Sequence, residues 1–166
     1  MTLDRLWAGW RGEYMATAGD PDIACVFCRI LESGEPDEVT HIVWRGETTF
    51  AILNAYPYTS GHLMVMPYRH VPELEDLTVD ESAELWSAVT TAVGALKDAY
   101  SAEGINIGVN LGRAAGAGVL GHLHVHAVPR WLGDSNFMTA VAETRVLPES
   151  LDEAHAKLTG AWKRDG

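Results

Sequence analysis

Three histidines at alternating positions, His122, His124 and His126, constrain this chain more than any other feature of its sequence. Successive side chains of a β-strand point to opposite faces, so the three imidazoles share one face and the apolar residues between them share the other. A buried imidazole needs a partner at each ring nitrogen, which a hydrophobic core rarely offers three times in five residues. The pattern therefore predicts a strand with one core face and one face of functional histidines.

Two chemistries fit this row of histidines. A His-x-His pair on a strand can supply two ligands to a zinc ion that keeps an open position for a catalytic water. A neutral imidazole can instead attack phosphorus and form a covalent intermediate. Residues 110–119 are rich in glycine and alanine, and their backbone amides can approach an anion closely, which favours the phosphorus chemistry. The same glycines also suit an ordinary flexible turn.

The charge and length of the chain exclude several functional classes. Its 166 residues include 12 basic and 23 acidic side chains, for a formal net charge of −11. A chain of this length makes one domain. Its negative field opposes nucleic-acid binding, because each phosphate contact needs a local Lys or Arg. No apolar run approaches the roughly 18 residues of a membrane span, and residues 1–15 lack the apolar segment of a secretory signal. We expect a cytoplasmic protein that binds neither nucleic acid nor membranes.

Hydrophobic periodicity predicts an α+β domain built on an antiparallel sheet. Strand-like runs lie near residues 41–45, 48–54, 62–67, 105–110 and 122–129, and helical spacing covers residues 79–100 and 149–163. Thr78 and Glu81 form a capping-box signature at the start of the long helix. Gly104 is expected to end that helix.

Cys25 and Cys28 are the two cysteines of the chain. In a reducing cytosol, a Cys-x-x-Cys pair is typical of a metal half-site or a redox couple. A redox couple favours a helix N-terminus beneath the first cysteine, and the downstream sequence does not clearly predict one. Metal binding is therefore the favoured interpretation.

Several separated motifs, in the same order, resemble the histidine-triad (HIT) superfamily of nucleotide hydrolases and transferases. They are the triad itself, the cysteine pair near the start, and residues 54–70, which read NAYPYTSGHLMVMPYRH. Residues 129–138, PRWLGDSNFM, and residues 6–11, LWAGWR, are most similar to the bacterial branch of diadenosine tetraphosphate phosphorylases or hydrolases. The resemblance implies an HIT-like fold with about five antiparallel strands, one long helix and a C-terminal helix. It also implies one domain, with an N-terminal extension (1–22), a core (23–131) and a C-terminal extension (132–166).

The resemblance further implies roles for individual residues. His124 would attack the α-phosphorus of a nucleotide and carry the nucleotidyl intermediate, and His126 would hydrogen-bond the phosphoryl oxygens. Asn54 would bind the ribose, and the amides around Gly118 and Val119 would stabilise the charge of the transition state. The implied nucleotide-binding residues are Ile30, Phe50, Ile52, Asn54, Asn110, Gly116, Ala117, Gly118, Val119, His124, His126, Arg130 and Trp131.

The loop before the triad departs from the family pattern. Many members carry Gln followed by Ser or Thr where this chain has Gly118 and Val119, and the loop here is one residue longer. Arg113 and Arg130 are the candidates for the missing polar group beside the leaving phosphate. Because these arginines are few for a polyphosphate, we expect the substrate to bind as a Mg²⁺ complex.

A structural zinc site is also implied by the resemblance. In zinc-bearing relatives, a Cys-x-x-Cys pair joins two histidines to form a closed tetrahedral site. His124 and His126 would then remain available for catalysis. His41, His62 and His155 are expected to be structural or surface histidines, with His62 the nearest of them to the site. The implied zinc ligands are Cys25, Cys28, His70 and His122.

The implied function is cleavage of dinucleoside polyphosphates such as diadenosine tetraphosphate through a covalent nucleotidyl-histidine intermediate. Either water or orthophosphate would resolve that intermediate. The alternatives are a hydrolase of phosphoramidate or adenylyl adducts of mononucleotides, and a nucleotide-binding module without turnover. Relatives pair through the long helix and an adjoining strand, so a homodimer is expected and a tetramer is compatible with the pattern.

Overall fold

A computed structural model describes residues 25–134 and 149–162. Within these residues, no helix is both long and apolar enough to cross a bilayer. The predicted N-terminal extension, residues 1–22, lies outside the described residues. The helices are α1 (Val26–Glu32), α2 (Asp37–Thr40), α3 (Val79–Tyr100) and α4 (Leu151–Ala161), and the strands are β1 (Ile42–Arg45), β2 (Thr49–Leu53), β3 (Leu63–Pro67), β4 (Gly104–Val109) and β5 (Val125–Arg130).

The strands form one open sheet with the order β1-β2-β3-β5-β4, and each neighbouring pair is antiparallel. The predicted α+β class with an antiparallel sheet is confirmed. β5 lies between β3 and β4, so that His126 faces Met64 on one side and Gly108 on the other. The last of the described strands therefore lies in the interior of the sheet, where its position is fixed by hydrogen bonds on both edges.

Each face of the sheet covers a different apolar cluster. The larger cluster lies beneath α3 and α4 and includes the apolar residues that alternate with the triad, Leu123, Val125 and Ala127. A core face behind the histidines is therefore confirmed. The smaller cluster lies on the opposite face and comprises Phe27, Ile42, Phe50, Ile52, Met64 and Met66.

The long helix α3 spans the residues that the sequence predicts, Val79–Tyr100, but Gly104 does not end it. Thr78 and Glu81 exchange both hydrogen bonds of a capping box. Arg69 also donates to the Glu81 carboxylate at 2.9 and 2.7 Å, and these bonds, with those from Thr78, lower the pKa of Glu81 to about 2. The helix ends at Ser101, whose φ of 49° is left-handed, whereas Gly104 begins β4. The prediction that Gly104 stops the helix was wrong because Ser101 adopts the terminating conformation itself.

The C-terminal helix α4 spans Leu151–Ala161 rather than residues 149–163. Ser150 and Glu153 form a second capping box, which sets its start. His155 is buried and its Nε2 lies 2.9 Å from the Ile42 carbonyl oxygen. His41 Nε2 lies 2.9 Å from an Asp152 carboxylate oxygen. These two histidines attach the helix to the start of β1.

Two local features were not predicted from the sequence. Cys25 is the N-cap of helix α1, so a helix does begin at the first cysteine. The regular pairing of β5 begins at Val125 rather than at residue 122. Before it, the His122 ring contacts the Pro67 carbonyl at the end of β3, and the His124 ring contacts the His122 carbonyl. The predicted histidine strand is therefore an irregular segment, residues 122–124, followed by the regular strand β5.

Glu84 on α3 holds the turn between β1 and β2. Its carboxylate accepts from the amides of Glu47 at 2.7 Å and Thr48 at 2.6 Å, and from the hydroxyls of Thr48 and Thr49. A Cβ at Gly46 would collide with the same carboxylate. Burial raises the pKa of Glu84, but the hydrogen bonds from Thr48 and its neighbours outweigh this effect, and the net pKa is lowered.

We expect Glu84→Gln to reduce the free energy of unfolding by about 1–3 kcal/mol at neutral pH, because a charge-assisted acceptor is lost. A carboxylate with a lowered folded pKa contributes stability above its unfolded pKa of about 4.3, and this stability is lost as the pH falls. The difference between variant and wild type should therefore shrink at about pH 3. Urea unfolding at both pH values measures it, with the exposed Glu103→Gln as control. An equal difference at both pH values would contradict the assignment.

Candidate functional site

The three triad histidines have different surroundings. His122 Nε2 lies 2.8 Å from the Pro67 carbonyl oxygen. A carbonyl only accepts, so the proton of the neutral His122 ring is on Nε2 and its lone pair is on Nδ1. That Nδ1 atom lies 3.4 Å from Cys25 Sγ and 3.8 Å from Cys28 Sγ. His122 therefore presents its basic nitrogen to the cysteine pair.

The structure brings together the four residues that the family resemblance implies as zinc ligands. One ligand atom from each of Cys25, Cys28, His70 and His122 lies within 4.8 Å of the others. His70 Nδ1 is 3.4 Å from Cys28 Sγ. Burial and the hydrogen bond with Cys25 raise the pKa of Cys28 to about 11. Without a cation the Cys28 thiol stays protonated at neutral pH, whereas a bound metal favours the thiolate.

The donor set of this cluster fits zinc. Two sulfur and two imidazole nitrogen donors make a closed tetrahedral site, which stabilises the fold and leaves no position for a catalytic water. Burial also lowers the pKa of His122, which keeps its ring neutral, as a metal ligand requires. Of the two chemistries that the sequence leaves open, a catalytic zinc held by neighbouring triad histidines finds no support here, because His124 does not join the cluster.

His124 has the opposite tautomer to His122. Its Nδ1 lies 2.7 Å from the His122 carbonyl oxygen, so the proton of the neutral ring is on Nδ1 and the lone pair is on Nε2. The side chain is 6% exposed. Burial lowers the pKa of His124 more than its hydrogen bond to His122 raises it. A neutral imidazole with a basic Nε2 is the form in which histidine is nucleophilic.

His126 lies beside His124, with ring centroids 4.9 Å apart. Its Nδ1 is 3.0 Å from Nε2 of His62, which is fully buried. Sequence reasoning placed His62 near the site but gave it no role. Its position depends on the β3–β5 register, in which Met64 pairs with His126. That register was the only signal that could have linked the two histidines, and it is not visible in the sequence.

The apolar residues that the resemblance implies for the base-binding pocket come together on the α1 side of the sheet. Phe50 and Ile52 are buried in the smaller apolar cluster, and Ile30 and Val119 pack against it. Phe27 extends the same wall, with its ring edge-on to His122 and His124 at centroid distances of 5.4 and 5.5 Å. Sequence reasoning did not single out Phe27. The cluster places an apolar surface directly beside the nucleophile candidate.

The glycine-rich loop joins β4 to the triad. It begins at Asn110 and includes a short 3₁₀ turn, Arg113–Ala115. Gly116 has a φ of 87°, and the amides of Gly116 and Ala117 donate to carbonyls within the loop. Among the described residues, no backbone carbonyl accepts from the amide of Gly118 or Val119. These two amides are therefore suited to an anion.

Arg130 and Trp131 have contacts of their own. Arg130 donates twice to the Asp134 carboxylate, at 2.5 and 2.7 Å, and once to Asn106 at 2.9 Å. Trp131 Nε1 donates to the Tyr100 carbonyl at the end of α3 at 3.3 Å. The ion pair holds the Arg130 guanidinium beside a carboxylate, so it brings little net positive charge to a phosphate. A nucleotide contact by either residue stays a prediction.

Comparisons with known proteins give a consistent result. The sequence profile of the HIT domain matches residues 35–131. The chain is 43% identical over 169 aligned positions to the AP-4-A phosphorylase of Mycobacterium tuberculosis, with 98% of this chain and 86% of that protein covered. It is 36% identical over 95 positions to an asymmetrical bis(5'-nucleosyl)-tetraphosphatase of Schizosaccharomyces pombe, covering 57% and 52% of the two chains. A Zn-bound histidine triad family protein from Mycobacterium smegmatis has a similar structure, with a TM-score of 0.68, 28% identity and coverage of 84% and 93%.

Purified protein should contain about one zinc ion per chain, and Gly121→Ala should weaken its binding. A Cβ at Gly121 would lie 2.6 Å from His70 Nε2. Without metal, the His70 ring can rotate away from the added Cβ at little cost in free energy. A His70 ring that ligates zinc cannot rotate in this way. We therefore expect the metal-free variant to keep its melting temperature and to bind zinc about 10-fold to 100-fold more weakly.

A competition titration with a chromogenic chelator measures that affinity. Gly160→Ala is the matched control, because its added Cβ meets nothing within 4 Å. Unchanged zinc affinity in Gly121→Ala, or no metal in protein purified without chelator, would contradict the assignment.

Proposed function

The chain belongs to the HIT domain family, and on this premise we propose that it cleaves dinucleoside polyphosphates, such as diadenosine tetraphosphate, through a covalent nucleotidyl intermediate on His124. One observation carries the proposal. The His122 carbonyl holds the proton of His124 at Nδ1, at 2.7 Å, and so leaves the Nε2 lone pair as the nucleophile. The names of the phosphorylase and tetraphosphatase relatives support this class of substrate.

The reaction proceeds in two displacements. His124 Nε2 attacks the α-phosphorus, a P–N bond forms, and the bond from phosphorus to the bridging oxygen breaks to release the rest of the polyphosphate. An acceptor oxygen then attacks the same phosphorus, the P–N bond breaks, and His124 returns to its neutral form. His126 hydrogen-bonds the phosphoryl oxygens, and the amides of Gly118 and Val119 stabilise the charge that develops on them.

The other implied contacts give the nucleotide its orientation. Ile30, Phe50 and Ile52 would form the apolar side of the base pocket, and Asn54, at the end of β2, would bind the ribose. Ordering the nucleotide against a rigid sheet lowers the entropic cost of placing phosphorus in line with the nucleophile. The remaining proposed contacts are Asn110, Gly116, Ala117, Arg130 and Trp131.

Orthophosphate is the acceptor that the relatives favour. The phosphorylase from Mycobacterium tuberculosis is similar over almost the whole chain, whereas the tetraphosphatase is similar over 57% of it. With orthophosphate as acceptor, the nucleotidyl group leaves as ADP. With water as acceptor, it leaves as AMP.

Two metal ions have separate proposed roles. A zinc ion held by Cys25, Cys28, His70 and His122 would cross-link α1, the end of β3 and the start of the triad, and so stabilise the fold. A magnesium ion would arrive with the substrate and neutralise its phosphates, held mainly by phosphate oxygens and water.

A homodimer is the proposed assembly. β4 lies at the edge of the sheet, and Ile107 on it is 40% exposed. An edge strand presents backbone donors and acceptors that a second copy of the same strand can pair. Trp86, on the outer surface of α3, is 45% exposed and lies on the helix that the family resemblance implicates in pairing. Sedimentation analysis with Ile107→Lys tests the interface.

We expect His124→Ala to reduce turnover of diadenosine tetraphosphate by several powers of ten, because the remaining groups bind the nucleotide but cannot form the intermediate. AMP affinity, measured by calorimetry, should change little and shows that the pocket is intact. His41→Asn, at the attachment of α4, is the matched control. Near wild-type turnover in His124→Ala would exclude the covalent mechanism.

The acceptor is identified by its product. With orthophosphate present, diadenosine tetraphosphate should give ADP and ATP, and without it the turnover should fall sharply. Chromatography of the products with and without phosphate measures this. AMP formed at the same rate in both conditions would make water the acceptor, and turnover restricted to phosphoramidate or adenylyl adducts would favour the alternative hydrolase.

Turnover of diadenosine tetraphosphate should depend on Mg²⁺, since the chain carries a net charge of −11 and Arg130 is paired with Asp134. AMP binding should depend on Mg²⁺ far less. A magnesium titration of the zinc-replete protein at fixed ionic strength separates this effect from screening. Full activity in a chelator that leaves the zinc content unchanged would show that protein groups alone neutralise the phosphates.

A further inference from the structure

Helix α1 carries side chains of two different sites. Cys25, at its N-cap, and Cys28 belong to the cysteine and histidine cluster that fits zinc. Phe27 and Ile30 belong to the apolar surface of the implied base pocket. Residues three apart lie on the same face of a helix, so each pair forms a stripe and the two stripes are adjacent. A movement of α1 therefore changes both sites together.

Few interactions attach α1 to the rest of the described chain. Within residues 25–134 and 149–162, no backbone hydrogen bond joins residues 25–33 to another segment. Phe27 is the buried residue of the helix, and Ile30 and Leu31 are partly buried against the smaller apolar cluster. The polar contacts of the helix with other segments are those of Cys25 and Cys28.

These cysteine contacts decide whether α1 stays in place. A helix of seven residues is not stable alone, and the burial of one phenylalanine offsets only part of the entropic cost of ordering it. His70 follows β3 and His122 precedes β5, so both belong to the sheet. A zinc ion bound by these histidines and by Cys25 and Cys28 would fasten α1 to the sheet. Without that cross-link, α1 opens locally while the sheet stays folded.

We propose that zinc occupancy regulates the nucleotide site by holding α1 against the base pocket, so that zinc and nucleotide bind cooperatively. The proposal rests on the function proposed above, because it requires the base to bind beside Phe27 and Ile30. Linkage makes the effect reciprocal. The nucleotide tightens zinc binding by the same factor by which zinc tightens nucleotide binding.

A second route leads from the cluster to the phosphate side of the site. The His122 carbonyl lies 2.7 Å from Nδ1 of His124, so a displacement of His122 would disturb the triad. This route acts on the phosphoryl group of a ligand, whereas α1 acts on the base. Ribose 5-phosphate, which has the phosphate and no base, therefore distinguishes the two routes.

Calorimetry tests the coupling on zinc-loaded protein and on protein stripped of zinc with a chelator that is then removed. We expect zinc removal to weaken AMP binding about 10-fold. Ribose 5-phosphate, measured by its displacement of AMP, should bind equally to both forms. Equal AMP affinities in the two forms, or an equal loss for both ligands, would overturn the proposal. No AMP binding to the zinc-loaded protein would contradict the proposed function itself, and the coupling with it.

Phe27→Ala removes the buried contact between α1 and the pocket. AMP binding to this variant should be weaker, and the effect of zinc on it should fall from about 10-fold to about twofold. Val26→Ala is the matched control, since Val26 is on the same helix and 45% exposed. It should keep the full effect of zinc. A full effect of zinc in Phe27→Ala would overturn the proposal.

The reciprocal effect is measured by zinc titration against a chromogenic chelator. Saturating AMP should tighten zinc binding to the wild type by the factor that calorimetry gives, and to Phe27→Ala by about twofold. A titration without protein corrects for zinc bound by AMP itself. Zinc affinity that is the same with and without AMP would overturn the proposal.

Hydrogen exchange tests the movement of α1 without any nucleotide. The amides of residues 29–33 donate within the helix. After zinc removal they should exchange about 10-fold faster, while the amides of α3 keep their protection. Equal exchange in α1 with and without zinc would overturn the proposal, whether or not the protein cleaves dinucleoside polyphosphates.

If the zinc-free chain unfolds as a whole, α3 loses protection together with α1, and the zinc-loaded protein provides the test. AMP at a fixed zinc concentration should then slow exchange in α1 and leave α3 unchanged. No slowing in α1, or equal slowing in both helices, would overturn the proposal.

Discussion

The rest of this site depends on the hydrogen bonds that fix which ring nitrogen of His122 and of His124 carries the proton. The Pro67 carbonyl fixes the proton of His122, and the His122 carbonyl fixes the proton of His124. Each of these bonds leaves the opposite nitrogen with a lone pair, one facing the cysteines and the other on the nitrogen that we propose attacks phosphorus. A neutral imidazole can carry its proton on either ring nitrogen, and a hydrogen-bond partner at one nitrogen selects the tautomer. For His122 and His124 the partner that selects the tautomer is a backbone carbonyl, so the tautomers are held as rigidly as the fold itself.

That rigidity comes from the position of β5. β5 pairs with β3 on one side and β4 on the other, and apolar residues on its rear face join the larger core cluster. A shift of one residue in register would exchange the core and site faces of the strand. The chain segment before β5 is held independently, since Leu123 donates its amide to the Val71 carbonyl at 2.7 Å. Backbone pairing and packing therefore allow β5 a single register, and that register determines which of its side chains face the site.

Sequence reasoning predicted the elements whose signals are local. The capping box of Thr78 and Glu81, the helical period of α3 and the alternation around the triad all depend on residues a few positions apart, and the structure has them as expected. Sequence reasoning failed where contacts between distant residues, or the backbone conformation of one residue, determine the structure. Ser101 ends α3 in a left-handed conformation that a non-glycine residue seldom adopts. The contacts of His62 and Arg130 follow from strand pairing and from a turn, neither of which has a local signature. The cysteine and histidine cluster was predicted only through the family resemblance, since its members are separated by up to 97 residues.

His122 belongs to both halves of the site, so the net charge of the cysteine and histidine cluster bears directly on His124. Its ring faces the cysteine pair, while its backbone carbonyl orients His124 two residues later. A divalent zinc ion bound by two thiolates and two neutral imidazoles has no net charge. Such a cluster would stabilise the chain around His124, the proposed nucleophile, without a strong field that lowers the basicity of its ring. A site with fewer thiolates would keep a positive charge beside His124 and lower the basicity of its ring. The two cysteines would therefore affect the proposed chemistry of His124 through charge balance, without contact with its Nε2 atom.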